Sequence, residues 1–354
     1  MDVSVQLVFQ NYGNWLDDRE HLAAEQRLAE LAEPLGYGTV FVVEHHFFDY
    51  SACPDNSQFL SWLAGRTSRI RLATGAFILP WNDPLRVAEK IVLLDHLSGG
   101  RAVLGLGRGL ARREYAGFGV DMNESRDRFD EAARMILEAT DCGVIEGDGP
   151  YYPQARTEIR PRPLRGFRDR LYTIGMSPES VEQAAQIGAR LAIFSQMPWE
   201  MWAGTSLASY RTVWDATHEG PPPPPLTCDL LYCAPTDAEA EETARVHMAE
   251  YYLSVLDHYE LLSKNFEGVR GYEMYQQASA ILSSIGKEDQ AQGYLTVQSW
   301  GSPEKILRSL AQRREIIGDF ELSVVARYGA LPREKVMRSM DLFGKEVIPE
   351  LRRW

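Results

Sequence analysis

The first 110 residues alternate two periodicities in a way that few folds can accommodate. Four apolar runs of strand length, at residues 3–9, 39–43, 70–79 and 102–107, are separated by stretches with helical spacing. From Arg19 to Leu35, Leu22, Leu28, Leu31 and Leu35 recur on one helical face, and Gly36 and Gly38 end the pattern. Phe59, Leu60, Trp62 and Leu63 lie in a second helical stretch. Pro84 begins a third, which is expected to bury Val87, Ile91, Leu94 and Leu97 and to stop at Ser98-Gly99-Gly100. Strands separated by helices run parallel, because parallel neighbours need a crossover and antiparallel ones need only a turn.

The second half repeats the alternation with longer interruptions. Strands are expected at 171–175, 190–194, 227–233 and 320–326, and helices at 124–141, 178–187, 236–262, 303–316 and 332–346. Eight strand–helix units close a (β/α)8 TIM barrel, which takes about 250 residues and leaves roughly 100 as insertions. On this reading residues 1–354 are a single barrel domain with insertions near 142–170, 196–225 and 263–300. The second insertion holds Pro221–Pro225, a stiff exposed segment. The alternative is an open doubly wound sheet, since Gly105-Leu106-Gly107-Arg108-Gly109 follows a strand. Its spacing is G-x-G-x-G rather than G-x-G-x-x-G, and the next clear helix begins only near Asn123. A dinucleotide site needs that helix to start at the loop.

A barrel of this kind keeps its chemistry where its strands end. Glu44-His45-His46 closes the run from Thr39 to Val43, and Arg108-Gly109 follows the fourth run. Met176-Ser177-Pro178 follows the fifth. A neutral imidazole, with its ordinary pKa of about 6.5, is the side chain best suited to moving a proton near neutrality. Adjacent histidines on extended chain point to opposite sides, so His45 and His46 cannot readily share a metal. No H-E-x-x-H is present, and no metal is expected. One histidine should face the barrel mouth while the other packs. Spacing alone equally allows both to be structural, with Glu44 fixing a loop.

Gly105, Gly107 and Gly109 leave backbone that a flat ligand can approach, and Arg108 offers a fork of donors that suits a phosphate. A plain strand-to-loop bend with a surface arginine explains the same residues. Ser177-Pro178-Glu179-Ser180 places an N-cap serine and an N1 proline before Val181-Glu182-Gln183-Ala184-Ala185. Such a helix start is also an anion site, and only its pairing with Arg108 favours a phosphate over simple capping. Tyr251, Tyr252, Tyr259, Tyr272 and Tyr275, with Trp199, Trp202, Trp214 and Trp300, read mostly as core, with some lining a pocket. Glu239–Glu242 and Glu288-Asp289 read as solvated surface.

Bulk properties narrow the function classes. A formal net charge of −13 argues against nucleic acid or an anionic membrane as main partner. Four cysteines without a C-x-x-C pair fit reduced thiols in a cytoplasmic protein. No apolar run reaches the roughly 18 residues of a membrane span, and the acidic N-terminus lacks the features of a signal peptide.

Several motifs together resemble the bacterial luciferase-like flavin monooxygenases, and within them the alpha-type catalytic subunit. They are Val43-Glu44-His45-His46-Phe47, Ala73-Thr74-Gly75-Ala76-Phe77-Ile78-Leu79-Pro80, Leu93-Leu94-Asp95-His96-Leu97-Ser98-Gly99-Gly100-Arg101, Arg108-Gly109-Leu110 and Phe118–Arg126. The stretch from Gly301 to Pro349 is similar to the usual family ending. The resemblance implies a (β/α)8 barrel that binds FMN at the C-terminal ends of its strands. Arg108, Ser177 and Ser180 would hold the phosphate, helped by backbone of Leu110 and Met176. Gly75-Ala76 falls where the family often has a non-proline cis peptide under the flavin ring. His45 falls on the family's active-site histidine, with Glu44 and His46 as neighbours.

The implied activity is that of a two-component monooxygenase. Reduced FMN would come from a separate flavin reductase, and O2 would oxygenate a small organic substrate through a flavin C4a-(hydro)peroxide. The resemblance also implies a homodimer through the helices Asn56–Thr67 and Pro84–Leu97. Gly107 stands where luciferase catalytic subunits carry a reactive cysteine, and Ala111 replaces an aromatic residue. Both point away from light emission and a long-chain aldehyde substrate. The rival functions are a deazaflavin-dependent dehydrogenase on the same barrel and a non-catalytic flavin-binding partner subunit.

Overall fold

Eight strands pair in chain order and the last closes on the first. The computed structural model describes residues 1–354. The strands are β1 (Val3–Leu7), β2 (Thr39–Val42), β3 (Arg71–Thr74), β4 (Ala102–Gly107), β5 (Leu171–Ile174), β6 (Arg190–Phe194), β7 (Leu226–Cys233) and β8 (Glu321–Val325). Every neighbouring pair is parallel, and β8 pairs with β1 through Val3 and Leu322. The ring is the closed (β/α)8 barrel expected from the alternation, not an open sheet.

The helices on the outer face include α1 (Asp18–Ala32), α2 (Asn56–Ala64) and α3 (Pro84–Ser98). After them come α4 (Arg112–Phe118), α5 (Ser125–Cys142) and α6 (Pro178–Gln186). Asp17, Asp55 and Asp83 cap α1 to α3 by accepting from the third residue onward, which satisfies donors the helix itself leaves free. On α3, Val87, Ile91 and Leu94 are buried as expected, but Leu93 and Leu97 are 47% and 56% exposed. Leu22 on α1 is exposed as well.

Between β6 and β7 lie α7 (Trp199–Gly204) and α8 (Ser206–Thr217), within the stretch read as the second insertion. Between β7 and β8 lie α9 (Asp237–His258), α10 (Glu273–Ser283), α11 (Lys287–Thr296), a short strand Ser299–Gly301 and α12 (Pro303–Ile317). Helix α9 ends earlier than its apolar pattern, because Glu260 takes φ +53°. A hairpin, Val144–Gly147 with Gln154–Glu158, occupies the first insertion. The expected strand at 70–79 is interrupted at Gly75–Ala76, a cis peptide, and resumes as Phe77–Ile78 against Leu106 and Gly107 of β4. No helix is long and apolar enough to cross a membrane.

Phe41, Ala73, Val103, Tyr172, Ala192 and Leu226 fill the lower barrel. Beneath them, at the N-terminal ends of the strands, polar groups are fully used. Glu321 accepts from the Tyr172 hydroxyl at 2.7 Å and pairs with Arg190, which also donates to Tyr172 at 3.0 Å. Arg71 donates to Thr39 and pairs with Asp2. Gly105 is required by close approach, since a Cβ there would sit 1.9 Å from the carbonyl oxygen of Thr74.

Candidate active site

Beyond the ends of β2 and β4 the chain turns sharply, and the turn separates the two histidines. The His45 amide donates to the Cys53 carbonyl, and Phe47 adopts φ +69°. His45 lines a cavity at the barrel mouth, while His46 is turned away from it against Trp81 and Phe118. Glu44 is buried and binds structure together. Its carboxylate accepts from Ile78 N, Trp81 Nε1 and Asn82 Nδ2 at 2.8–3.2 Å, and lies 3.1 Å from His46 Nε2. Glu44 therefore anchors the segment that follows the Gly75–Ala76 bond.

The partner of His45 comes from α4, a seven-residue helix with no apolar repeat to announce it. His45 Nδ1 lies 3.0 Å from Oε1 of Glu114, and that oxygen also accepts from the His46 amide at 2.8 Å. A carboxylate on Nδ1 holds the proton there and leaves Nε2 free to accept. On that side the Tyr259 hydroxyl is 3.3 Å away. Burial, with Glu114 next in weight, holds the Tyr259 hydroxyl well above its ordinary range, so it remains protonated. His258 lies behind, with its ring 5.3 Å from that of His45 and stacked on Tyr50 at 4.1 Å. Burial, then the neighbouring His45 and Arg113, pulls the His258 imidazolium pKa down to about 2, and the ring is neutral.

Across the mouth lies a corner rich in cations. Ser177 caps α6, accepting from Ser180 N, and its hydroxyl donates to Ser180 Oγ at 3.1 Å. Arg126 donates to Ser180 Oγ at 3.0 Å. Arg108 donates to the Gly271 carbonyl at 2.7 Å and lies over the Tyr272 ring. Neither guanidinium has a carboxylate within ion-pair distance. Burial and the charge of Arg108 depress the pKa of Arg126, while the Asp130 carboxylate, beyond ion-pair distance, acts on both cations in the opposite direction. The Tyr272 hydroxyl holds the Gly109 carbonyl at 2.9 Å, which ties the Arg108 loop to the 263–300 segment.

One cavity, about 1210 Å³ counted out to open solvent, joins His45 and Glu114 to Arg108 and Ser180, and Arg126 is tied to it through Ser180 Oγ. Gly75, Ala76, Gly107, Gly109, Leu110, Met176 and Ser180 line it along with His45, Glu44 and Arg108, whereas Ser177 serves as the cap beneath. Apolar and phenolic side chains complete the lining, among them Val255, Leu261, Tyr50, Tyr251, Tyr275 and Tyr294. Part of the glycine pattern has a packing cause. A Cβ on Gly107 would meet Ile78 at 2.9 Å, and one on Gly109 would meet Ile78 and Trp81.

The family model described as luciferase-like monooxygenase matches residues 1–319. The chain belongs to that family. An alkanal monooxygenase alpha chain from Photorhabdus luminescens is 30% identical over 162 residues, which is 46% of this chain and 45% of that one. The match therefore spans about half the length of that relative. A 4-hydroxyprotoasukamycin monooxygenase from Streptomyces nodosus subsp. asukaensis is 26% identical over 91% of this luciferase-like chain and 85% of its own. Among solved structures, the monooxygenase RslO1 from Streptomyces bottropensis superposes with TM-score 0.76 at 27% identity, covering 99% of this chain and 100% of that one. Two barrels at 18% identity share the fold. One is the oxygenating constituent of 3,6-diketocamphane monooxygenase from Pseudomonas putida in complex with FMN (TM-score 0.75; 99% and 98% covered). The other is an F420-dependent secondary alcohol dehydrogenase (TM-score 0.71; 99% and 99% covered).

Proposed function

We propose that this protein is the oxygenating component of a two-component monooxygenase, using reduced FMN from a separate reductase and O2 to oxygenate a small organic substrate. The observation that carries the reading is one cavity lined by Arg108, Ser180 and His45, with Arg126 donating to Ser180 and Glu114 orienting the imidazole. Two unpaired arginines beside a helix start fit a phosphate dianion. The Gly75–Ala76 and Gly107 backbone between that corner and His45 offers a shelf for a flat ring. These residues therefore fit FMN, with Arg108, Arg126 and Ser180 on its phosphate. The related names that include oxygenation, and the family itself, favour an oxygenase.

When bound, reduced flavin supplies the electrons that activate dioxygen. The chain does the rest. Arg108 and Arg126 fix the cofactor's tail. Glu114 keeps His45 in the tautomer whose Nε2 can take a proton from the substrate or return one, with the protonated Tyr259 hydroxyl beside it. Val255, Leu261 and the tyrosine wall exclude bulk water from the reacting groups.

Anaerobic titration with reduced FMN tests the reading. Binding tighter than about millimolar is expected, and its absence overturns it. Oxygen uptake by the isolated chain, with reduced FMN and a panel of carbonyl, terpene and aromatic compounds, then separates an oxygenase from its rivals. An F420-type dehydrogenase would consume none, and a silent partner subunit would show no turnover. Leu93 and Leu97 on α3 form an exposed apolar pair that a second copy of the chain would cover. Sedimentation should accordingly give a dimer that Leu97→Asp dissociates.

A further inference from the structure

His45, Glu114 and His258 come from three separate elements, the β2 loop, α4 and the last turn of α9. A nitrogen or carboxylate oxygen from each lies within 4.8 Å of those from the other two. His258 is 2% exposed, and neither Nδ1 nor Nε2 has a hydrogen-bond partner. Buried polar atoms are nearly always partnered, and a histidine with both nitrogens orphaned is a rare departure. Tyr50 covers one face of the ring at 4.1 Å and Tyr259 meets it edge-on at 4.7 Å. What the ring still offers is its in-plane lone pair, next to His45 and Glu114.

We propose that His45, Glu114 and His258 bind one divalent transition ion of the zinc type. Two imidazoles and a carboxylate suit zinc and its first-row neighbours, whereas magnesium and calcium prefer all-oxygen sets. His45 Nδ1 and Glu114 Oε1, 3.0 Å apart, share a proton while no ion is bound, and as adjacent ligands of one ion they release it to solvent. Tetrahedral ligands about 2.1 Å from an ion stand about 3.4 Å apart, so binding draws the three ligand atoms together by up to about 1.4 Å. The cavity side of His45 and Glu114 leaves room for water as a further ligand. The nearest cation, Arg113, lies 3.8 Å from the Glu260 carboxylate. A bound ion occupies the groups assigned to proton transfer and so inhibits turnover. That consequence rests on the monooxygenase reading, while the binding itself does not.

The test uses the full-length chain, freed of metal and without flavin. Calorimetric titration with Zn2+ should show one site. His258→Ala and Glu114→Gln should each weaken it by at least about 10- to 100-fold, the loss seen even for groups in the outer shell of a metal. His247→Ala, which removes an imidazole paired with Glu250 on the surface, should leave it unchanged. In the wild-type chain, Co2+ should broaden the imidazole resonances of His45 and His258 together, a readout that needs no variant to fold. Equal Zn2+ affinity in wild type and His258→Ala overturns the proposal, as does a sharp His258 resonance at saturating Co2+. Neither result bears on FMN binding, so the two readings fail independently.

Discussion

The two ends of the barrel use the same residue types to opposite effect. At the N-terminal end, Arg190, Glu321 and Tyr172 satisfy one another, and Arg71 is held by Asp2 and Thr39. At the C-terminal end, Arg108 and Arg126 have no carboxylate within ion-pair distance, and neither nitrogen of His258 has a hydrogen-bond partner. Charges that neutralise each other stabilise a plug and leave nothing for a ligand. Charges held apart from their complements cost stability and create a site. Removing a group at the mouth should therefore change binding or turnover, and removing one at the plug should change stability.

The largest effect expected is on catalysis. His45→Ala should lower kcat by about 10^2–10^4-fold, the usual worth of a positioned acid–base group, with FMN affinity nearly unchanged; steady-state oxygen uptake and flavin titration together check this. Normal turnover in that variant would remove His45 from the chemistry. Next comes the cation corner. Arg126→Ala should weaken FMN by about 10- to 100-fold, as expected for a lost charge-assisted hydrogen bond. Riboflavin, which has no phosphate, should bind wild type and variant alike. A parallel loss for riboflavin would mean that Arg126 only supports the fold.

The plug should answer in the other currency. Glu321→Gln is expected to cost about 1.5–3 kcal/mol of stability in urea denaturation and to leave FMN affinity alone. Acid sensitivity divides the two ends further. Burial depresses the folded-state pKa of His258 to about 2, so the unfolded chain binds the extra proton. Stability from this residue is full above about 6.5 and is lost as pH falls below it, by up to about 1.4 kcal/mol per pH unit. His258→Phe should flatten that slope between pH 6.5 and 4.5.

The smallest effect belongs to Glu33, near the plug. Burial raises its pKa, but the amides of Ile70, Arg69 and Ser68 outweigh it and lower the value to about 2. Its contribution is present above about pH 4.5 and disappears as pH falls toward 2. Glu33→Gln should therefore lower the thermal midpoint at pH 7 and leave it unchanged near pH 2.

The amino-acid sequence by itself determined the barrel, because alternating apolar runs and amphipathic helices have one closed parallel solution at this length. It also marked the strand ends, so His45, Arg108 and Ser180 were legible as residues of the mouth. It could not say which histidine faces inward, since that depends on the turn at Phe47 and on the anchoring of Glu44 by Trp81 and Asn82. Glu114 sits on a helix too short to show a period. Arg126 stands in the Phe118–Arg126 motif, yet nothing local ties it to Ser180, 54 residues away. His258 ends a long helix whose neighbours across the barrel are set by packing. Local periodicity encodes which elements form. Only their assembly brings together side chains that are distant along the chain, and the site depends on those distances.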